Sequence, residues 1–457
     1  MAEPELNKVR VLIISYHFPP LNVISAFRAE AFAKYLPAHD IEPTVLTLQW
    51  QETNDLDAST SGADHYVWHR RGAPVVYQEI SGSRVIRLPR VRGWYQVLID
   101  RAMRIPLLSK ALGAIAYALG IFNIHILYSH ISFKNFLKDH LQQEKYDVVI
   151  AMMSPDEHIA LARWIKDRWG IPFIADYRDT YDNRILDTDF DPDLATRIKL
   201  WFKNNYHRHW MAKCDLLVSV SDILVQKLSQ ITGMNKTLEI RNGYDPEKIL
   251  PAEGSIDREL FKITYAGRIY PHQDIQPFIQ TIRRFDQLLP SEDRNRVLVQ
   301  FFGVQDKGHA NELEHQLKDI THTIRLTRIP SKSIYGHLAE SSLLILFDIR
   351  TTGGYTGKFM DYVGCRRNIL MIPSDNGVIA DLMEKGRLGL ATQDPESAAQ
   401  FLLLKFNEWK AEGKPRFEGV EEVIQATSRK EQISRLAISI RTISMHGRRL
   451  TIDTGNA

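Results

Sequence analysis

The sequence predicts an α/β protein with two doubly wound parallel sheets, each in a domain of its own. The chain has 457 residues, which is more than one hydrophobic core usually serves, so two domains are expected. Short apolar, β-branched runs alternate with segments of helical spacing in both halves of the chain. Because parallel strands need crossover connections, and these are usually helices, the alternation favours parallel sheets.

The first domain is predicted to span residues 1–245. Its strands are expected at Val9–Ser15, Pro43–Leu48, Tyr146–Met152, Ile171–Asp176 and Leu216–Val220. Helical spacing is found in the segments that follow these strands, at Ser25–Leu36, Glu157–Trp169 and Ser221–Gln230. The start of the chain is polar and runs directly into the first strand, without the apolar region of a signal peptide, so the cytosol is the predicted compartment.

The second domain is predicted to span residues 246–428, after a turn-rich stretch that ends at Pro246. Its strands are expected at Phe261–Ala266, Val297–Phe302, Ile324–Ile329, Leu343–Asp348 and Asn368–Ile372. The last segment, 429–457, has helical spacing and is expected to pack back on the first domain. Two such domains would leave a cleft between the carboxyl ends of their sheets, where open α/β sheets bind ligands.

The charge is nearly balanced, and its one uneven region is 84–128. A formal net charge of +3 is too small to indicate a nucleic-acid partner. Between Arg84 and Lys110 there are seven basic residues and one acid, and Ala111–Tyr128 then carries no formal charge. Three interpretations stay open: a spanning helix, a segment on an anionic bilayer surface, or a helix packed on its own domain.

Three stretches carry residues suited to phosphate. The loop after the first strand leads to a helix with Arg28 in its first turns, and a helix N-terminus attracts anions. Gly267-Arg268 ends a strand, where glycine admits a ligand and a guanidinium can bind phosphate bidentately. The alternative for each arginine is an ordinary surface side chain.

The third stretch is a glycine-rich loop that ends at Gly357-Lys358. A lysine at a helix N-terminus is unfavourable against the helix dipole unless an anion neutralises it, and a phosphate would serve. Asp361, one turn later, could accept hydrogen bonds from ribose hydroxyls. The alternative is an exposed intrahelical pair of Lys358 and Asp361.

With these residues the sequence resembles the retaining family-4 glycosyltransferases of bacterial polysaccharide synthesis, which have the GT-B fold. The resemblance covers nearly the whole chain and depends on an ordered set of short motifs. They are Phe18-Pro-Pro20 with Arg28, Asp176-Tyr-Arg-Asp179, Asn242-Gly-Tyr-Asp245, Tyr265-Ala-Gly-Arg268 and Gly357-Lys-Phe-Met-Asp-Tyr362.

The resemblance implies transfer of a hexose-like sugar from a nucleotide-diphosphate donor to an acceptor hydroxyl, with retention of configuration and no required metal or other cofactor. The implied catalytic residues are Asp179, Arg268 and Lys358. The implied donor-binding residues are Asn242, Gly243, Gly267, Arg268, Gly353, Gly354, Tyr355, Thr356, Gly357, Lys358 and Asp361. The residues expected on the acceptor or sugar side are Asn22, Ser25, Arg28, Asp176, Arg178 and His158.

The implied acceptor is a surface glycan or lipid-linked glycan at the cytoplasmic face of the inner membrane. A sugar-nucleotide epimerase and a catalytically degenerate nucleotide- or glycan-binding protein are the alternatives. The family pattern would place a carboxylate at position 353, where this chain has Gly353, so the contact to the donor sugar is missing or supplied elsewhere.

Two further interpretations stay open. A buried Asp–Arg pair that holds the loop is the structural alternative for Asp176, Arg178 and Asp179. The pairs Asp187-Thr-Asp189 and Asp191-Pro-Asp193 resemble a metal-binding D-x-D, but they lie in a polar loop and are interpreted as solvated.

Overall fold

The computed structural model describes residues 8–21, 23–50, 69–70, 72–91, 131–153, 155–181, 190–249, 256–270, 273–304, 307–318, 320, 323–327, 333–347 and 354–455. They belong to two compact units. The first comprises the described residues up to Ile240 and those from Ile433 onward, and the second runs from Arg241 to Gln432. From the sequence, the boundaries were expected after residues 245 and 428.

The first unit is built on one sheet. Its strands are β1 (Val9–Ile14), β2 (Ile41–Leu48), β3 (Val76–Ile80), β4 (Ser83–Leu88), β5 (Val148–Met152), β6 (Phe173–Tyr177), β7 (Leu216–Ser219) and β8 (Thr237–Glu239). The order across the sheet is β3-β4-β2-β1-β5-β6-β7-β8. Neighbouring strands are parallel except β3, which runs antiparallel to β4.

Both faces of this sheet are apolar, as β1 illustrates. Leu12 and Ile14 pack into the hydrophobic cluster on one face, and Val11 and Ile13 pack into the cluster on the other. A sheet that is apolar on both faces needs helices on both, which is the doubly wound arrangement. The helices before the second unit are α1 (Ile24–Tyr35), α2 (Ile131–Gln143), α3 (Glu157–Trp169), α4 (Leu194–Met211) and α5 (Asp222–Thr232).

The basic segment expected to begin an insertion at Arg84 begins as a strand instead. Val85, Ile86 and Leu88 are buried, and β4 pairs with β2 from Arg84 to Leu88. A strand forms here because these apolar residues fill the core beside β2, while the two arginines of the strand make polar contacts with other segments. Residues 92–130 of the predicted insertion lie outside the described residues.

The second unit is built on a six-stranded parallel sheet. Its strands are β9 (Phe261–Ala266), β10 (Val297–Phe302), β11 (Thr323–Thr327), β12 (Leu343–Leu346), β13 (Asn368–Met371) and β14 (Gly389–Ala391), in the order β11-β10-β9-β12-β13-β14. Its helices are α6 (Gln276–Leu288), α7 (Lys307–Leu317), α8 (Ile334–Glu340), α9 (Gly357–Cys365), α10 (Val378–Gly386), α11 (Pro395–Glu412) and α12 (Glu421–Ala426). Two hydrophobic clusters cover the two faces of the sheet.

The last helix, α13 (Arg429–Gly455), completes the core of the first unit. Ile433, Leu436 and Ile440, spaced so that they share one face of the helix, are buried in the same cluster as Val11 and Ile13. No helix formed by the described residues is long and apolar enough to span a bilayer.

Candidate functional site

Gly267 and Arg268 directly follow strand β9, at the carboxyl edge of the second unit's sheet. The backbone of Gly267 has φ +121°, a conformation that favours glycine. A Cβ at this position would lie 2.7 Å from Cε of Lys358 and 3.2 Å from its Nζ. The glycine therefore provides the space that the lysine side chain occupies.

Lys358 belongs to the first turn of α9. Thr356 caps this helix, since its Oγ1 accepts a hydrogen bond of 3.1 Å from the amide of Phe359. The loop residues Gly354 and Tyr355 lead into the cap, while Gly353 lies outside the described residues. The positive end of the helix dipole thus lies beside a lysine and favours an anion there.

Lys358 interacts with neutral groups. Its Nζ donates to the hydroxyl of Tyr265 and lies 4.0 Å from the centroid of that ring, and the carbonyl of Arg268 is 3.4 Å away. Among the described residues it has no carboxylate partner within ion-pair distance. Burial lowers the pKa of Lys358 from 10.5 to about 7, because the ammonium is removed from water. The site is therefore prepared to gain charge stabilisation from an incoming anion.

Asp361 follows Lys358 by one turn of α9. Burial is the main cause that raises its pKa to about 6, and the nearby positive charges of Arg429 and Lys248 oppose the increase. The hydroxyl of Tyr335 donates to Oδ1 of Asp361 at 3.4 Å. Lys358 and Asp361 do not pair with each other, so the intrahelical ion pair considered from the sequence is not formed.

Tyr362 ties α9 to the end of β9. Its buried hydroxyl accepts a hydrogen bond of 2.8 Å from the backbone N–H of Ala266, the last residue of the strand. This contact joins two segments that lie 96 residues apart in the sequence. It thereby brings Arg268 and Lys358 to one edge of the sheet.

The turn that contains Asn242 and Gly243 lies against the start of α13. A Cβ on Gly243 would lie 2.1 Å from the carbonyl oxygen of Thr427, so the two backbones approach closely. Arg429 holds this approach: its amide donates to the carbonyl of Tyr244 and its Nε to that of Gly243, both at 2.8 Å. The turn is thus fixed in place within the second unit.

Tyr244 and Arg241 connect this turn to the candidate site. The ring of Tyr244 packs so tightly on α9 that a Cβ at Gly364 would come within 2.6 Å of it. The guanidinium of Arg241 lies 4.7 Å from the ring centroid of Tyr355, in the loop that leads to Lys358. Arg241 is a cation that the sequence reasoning did not select, although it directly precedes the N-G-x-D motif.

In the first unit, Arg28 and Asp176 form a buried bidentate ion pair. Nε and Nη2 of Arg28 donate to the two carboxylate oxygens of Asp176 at 2.8 and 2.6 Å, and Nη1 donates to the carbonyl of Ile240 at 2.9 Å. The two side chains are 3% and 1% exposed. The pair and its hydrogen bond to Ile240 connect α1 and β6 with the residue that follows β8. Ser25 lies half-buried in the first turn of α1, and Asn22 lies outside the described residues.

Arg178 and Asp179 follow β6 and pair with each other. Nε of Arg178 donates to Oδ2 of Asp179 at 2.6 Å, whereas Asp176 pairs with Arg28. Burial lowers the pKa of nearby His17 to about 4, and the charge of Arg178 adds to the effect. Both members of the Arg178–Asp179 pair are partly exposed, with 25% and 41% of their side-chain surface accessible.

His158 is fully buried at the start of α3. Its Nδ1 lies 2.9 Å from the carbonyl oxygen of Met152, which can only accept, so Nδ1 carries the proton. Of the acidic residues near α4, Asp193 caps the helix through the amide of Thr196 at 2.7 Å, and Asp191 pairs with Arg197. Among the described residues no group of His, Cys, Asp and Glu side chains is placed to hold a metal ion.

Comparison with known proteins identifies the fold. Neither family models nor curated proteins match the sequence. Among solved structures, an α,α-trehalose-phosphate synthase (UDP-forming) from Burkholderia xenovorans in complex with glucose-6-phosphate is similar, with 11% identity and a TM-score of 0.58 over 94% of this chain and 100% of that chain. The enzyme of the same title from Burkholderia vietnamiensis gives 11% identity and a TM-score of 0.56 over 96% and 100%.

A third similar structure is that of Anabaena HepE in complex with UDP, with 12% identity and a TM-score of 0.51 over 97% of this chain and 100% of that chain. These matches extend over both units. The chain has the GT-B fold. At 11–12% identity the likeness concerns the fold, so the chemistry must be argued from the site.

Proposed function

We propose that this chain is a glycosyltransferase that moves a sugar from a nucleotide-diphosphate donor to an acceptor hydroxyl. The observation that carries the proposal is the arrangement of Arg268 and Lys358. Both lie at the carboxyl edge of one sheet, beside the N-terminus of α9, and Lys358 makes its contacts with neutral groups. A diphosphate is the anion that suits two cations and a helix N-terminus.

The donor's diphosphate would occupy the region between Arg268 and the start of α9. Its negative charge would hold Lys358 protonated, which restores the pKa that burial has lowered. Glycosyl transfer with a diphosphate leaving group develops negative charge on the leaving phosphate. The two cations and the dipole of α9 would stabilise that charge, and such electrostatic stabilisation is a large contribution to catalysis.

Asp361 and the glycine loop would hold the remainder of the donor. Above its pKa of about 6, Asp361 is a carboxylate that can accept from ribose hydroxyls, with Tyr335 beside it. Gly354 and Gly357 leave backbone amides near the cap of α9, and Arg241 adds a positive charge beside Tyr355. We propose uracil as the base of the donor nucleotide, because the similarly folded HepE is described in complex with UDP.

The finer assignment follows the resemblance of the sequence to retaining family-4 enzymes. Retention would use the donor's own leaving phosphate as the base, with no metal required, so the protein need only position and stabilise. Asp179 and Arg178, partly exposed after β6, are the side chains of the first unit that we assign to the sugar or acceptor. The buried pair of Asp176 and Arg28 would hold the end of β6, which Arg178 and Asp179 follow, in position.

Substitution of the two cations tests the donor site. Lys358→Ala and Arg268→Ala should each reduce turnover by about 10- to 100-fold, because one charge-assisted hydrogen bond to phosphate is lost. Lys385→Ala, an exposed lysine on α10, is the matched control and should leave turnover unchanged. Turnover is measured over a panel of sugar nucleotides, with cell extract as the source of acceptor and mass spectrometry as the readout.

Full activity in both variants would overturn the donor assignment. The degenerate-binder alternative predicts a different result: UDP would raise the melting temperature of the wild-type chain, yet no sugar would be transferred anywhere in the panel. Release of free or isomerised sugar without any acceptor would indicate the epimerase alternative.

We further propose that the acceptor is a surface or lipid-linked glycan and that the chain associates with the cytoplasmic face of an anionic membrane. The basic and apolar composition of the rest of the predicted insertion, residues 92–128, supports this, and so does the surface of α4. Leu194, Ile198 and Trp201 form one exposed stripe along this helix, with 74%, 46% and 62% of their surface accessible. The helix carries four Lys or Arg residues and no Asp or Glu, a composition that suits an anionic interface.

Cosedimentation with vesicles tests the membrane proposal. Ile198→Ser/Trp201→Ser should bind less to vesicles that contain phosphatidylglycerol, because the buried apolar area is lost. Leu404→Ser, which changes a residue that is 53% exposed in the second unit, is the control. Equal binding of both variants and the wild-type chain would contradict the proposal.

A further inference from the structure

The first unit contains a cavity of about 710 Å³ that the donor site does not use. It lies where three neighbouring parallel strands end: Pro19 and Pro20 follow β1, Gln49 and Trp50 follow β2, and Arg87 is near the end of β4. Strand β3 covers one side with Gln78 and Glu79. The volume is within the range of small-molecule sites, and the carboxyl edge of an open α/β sheet is where such sites occur.

Arg87 is a buried cation with neutral partners. The residue is 5% exposed; its Nε donates to Oε1 of Gln78 at 2.7 Å, and its Nη2 donates to the carbonyl of Pro19. The remaining nitrogen, Nη1, is buried, and no group of the described residues accepts a hydrogen bond from it. No described carboxylate forms an ion pair with Arg87, including Glu79, which is exposed to solvent at the rim of the cavity.

This arrangement is energetically unfavourable without a ligand. A buried guanidinium stays charged, and neutral acceptors compensate its desolvation less well than a carboxylate or phosphate would. Burial accordingly lowers the pKa of Arg87. Nη1 is thus a buried donor for which the described residues supply no acceptor.

The other walls of the cavity suit a sugar. Trp50 is fixed, since its Nε1 donates to the carbonyl of Tyr16 at 3.1 Å and its ring stacks on His17 with 5.8 Å between centroids. A fixed indole offers a flat apolar face to the C–H groups of a sugar ring. Gln49 is held too, because its Nε2 donates to the carbonyl of Pro74 at 2.8 Å, which leaves the amide oxygen as an acceptor for hydroxyls.

We infer that this cavity binds the acceptor and that Arg87 recognises a carboxylate or phosphate group on it. The enzyme would then act on an acidic sugar or a sugar phosphate, and neutral sugars would be poor acceptors. The ligand is an acceptor only if the chain carries out the proposed glycosyl transfer. Binding of an anionic sugar in this cavity does not require the donor site, whose residues are all in the second unit.

Binding to the full-length chain tests the inference. The probes are glucuronic acid, glucose 6-phosphate, glucose and inorganic phosphate, each measured by tryptophan fluorescence and calorimetry. We expect at least one of the two anionic sugars to bind about 10-fold or more tightly than glucose and than inorganic phosphate. The better of the two identifies the anionic group as carboxylate or phosphate.

Arg87→Gln should abolish that preference for the anionic sugar. Arg84→Gln is the matched control, because Arg84 lies on the same strand but pairs with Glu144 and does not line the cavity. Arg87→Lys keeps the charge without the planar fork and should bind with intermediate affinity. If Arg87→Gln does not fold, the comparison of probes on the wild-type chain and on Arg87→Lys still decides.

Equal affinity for glucose and both anionic sugars, or an unchanged preference in Arg87→Gln, would overturn the inference. Inorganic phosphate that binds as tightly as the sugars would also overturn it, because the sugar-binding walls would then contribute nothing. UDP binding is measured in parallel. UDP binding without anionic-sugar binding rejects the acceptor inference alone, whereas the reverse result rejects the proposed donor site.

Discussion

Gly267→Ala tests the close approach on which the donor site depends. A Cβ at this position would lie 2.7 Å from Cε of Lys358, nearer than atoms approach in practice, so the lysine side chain must move. Alanine would also be strained at φ +121°, which costs roughly 1–3 kcal/mol. We therefore expect a melting temperature lower by roughly 2–12 °C.

The displaced lysine should also weaken nucleotide binding. If Lys358 can no longer reach its phosphate, one charge-assisted hydrogen bond is lost, and the dissociation constant for UDP should rise by about 10- to 100-fold. Isothermal titration calorimetry with UDP measures this constant directly, and thermal unfolding without ligand measures the strain separately.

Gly413→Ala separates the two effects. Gly413 belongs to the same unit and has φ +74°, but a Cβ there would meet its nearest neighbour, Nε of Arg258, at an ordinary 3.8 Å. This variant should lose stability and keep its affinity for UDP. Equal affinity of Gly267→Ala and Gly413→Ala for UDP would contradict the role of Gly267 in making room for Lys358.

Three further predictions concern charges and hydrogen bonds. Between pH 7 and 9 the dissociation constant for UDP, measured by calorimetry, should rise by up to about tenfold per pH unit. Lys358 loses its proton above its pKa of about 7 and must regain it when UDP binds. Lys358→Arg should remove this pH dependence. Arg28→Met should cost about 3–5 kcal/mol in urea unfolding, since it leaves the carboxylate of Asp176 buried and unpaired, while the double change with Asp176→Asn should cost less. Tyr362→Phe should cost about 1–3 kcal/mol in thermal unfolding, because the buried N–H of Ala266 loses its acceptor.

The fold class was predictable because the central strands are apolar on both faces. Strands β9 and β10 begin and end where the sequence placed them, and the GT-B fold is confirmed by the solved structures. These two strands, FKITYA and VLVQFF, are mostly apolar, and almost all of their residues are buried. Their alternation with helices leaves parallel sheets as the consistent arrangement.

Strand β4 was missed because its sequence does not read as apolar. Arginines occupy two of its six positions, and one of them, Arg87, is buried. The partners of this buried arginine lie outside its own strand, at Gln78 on β3 and at Pro19, 68 residues away. The composition of 84–128 therefore indicated a basic insertion from Arg84, although residues 84–88 form a strand of the first unit's sheet.

The contacts between side chains in the candidate sites could not be predicted from the local sequence pattern. For Asp176, Arg178 and Asp179 the sequence left open a buried Asp–Arg pair without fixing its members, and the partner of Asp176 is Arg28, 148 residues away. Lys358 and Asp361, one helical turn apart, each bind a tyrosine from another element instead of each other. Motif spacing identifies which residues reach an edge of the sheet, whereas tertiary packing decides what they contact there.

The contrast between Arg28 and Arg87 gives a criterion for the two kinds of buried cation in this chain. Both are at most 5% exposed at the carboxyl side of the same sheet. Arg28 pairs with a bidentate carboxylate, whereas Arg87 has the amide of Gln78, the carbonyl of Pro19 and, among the described residues, no acceptor for Nη1. A paired charge is already compensated, so its removal should affect stability. An uncompensated charge gains most from a ligand, so its removal should affect binding, and Lys358 belongs to that second class for the same reason.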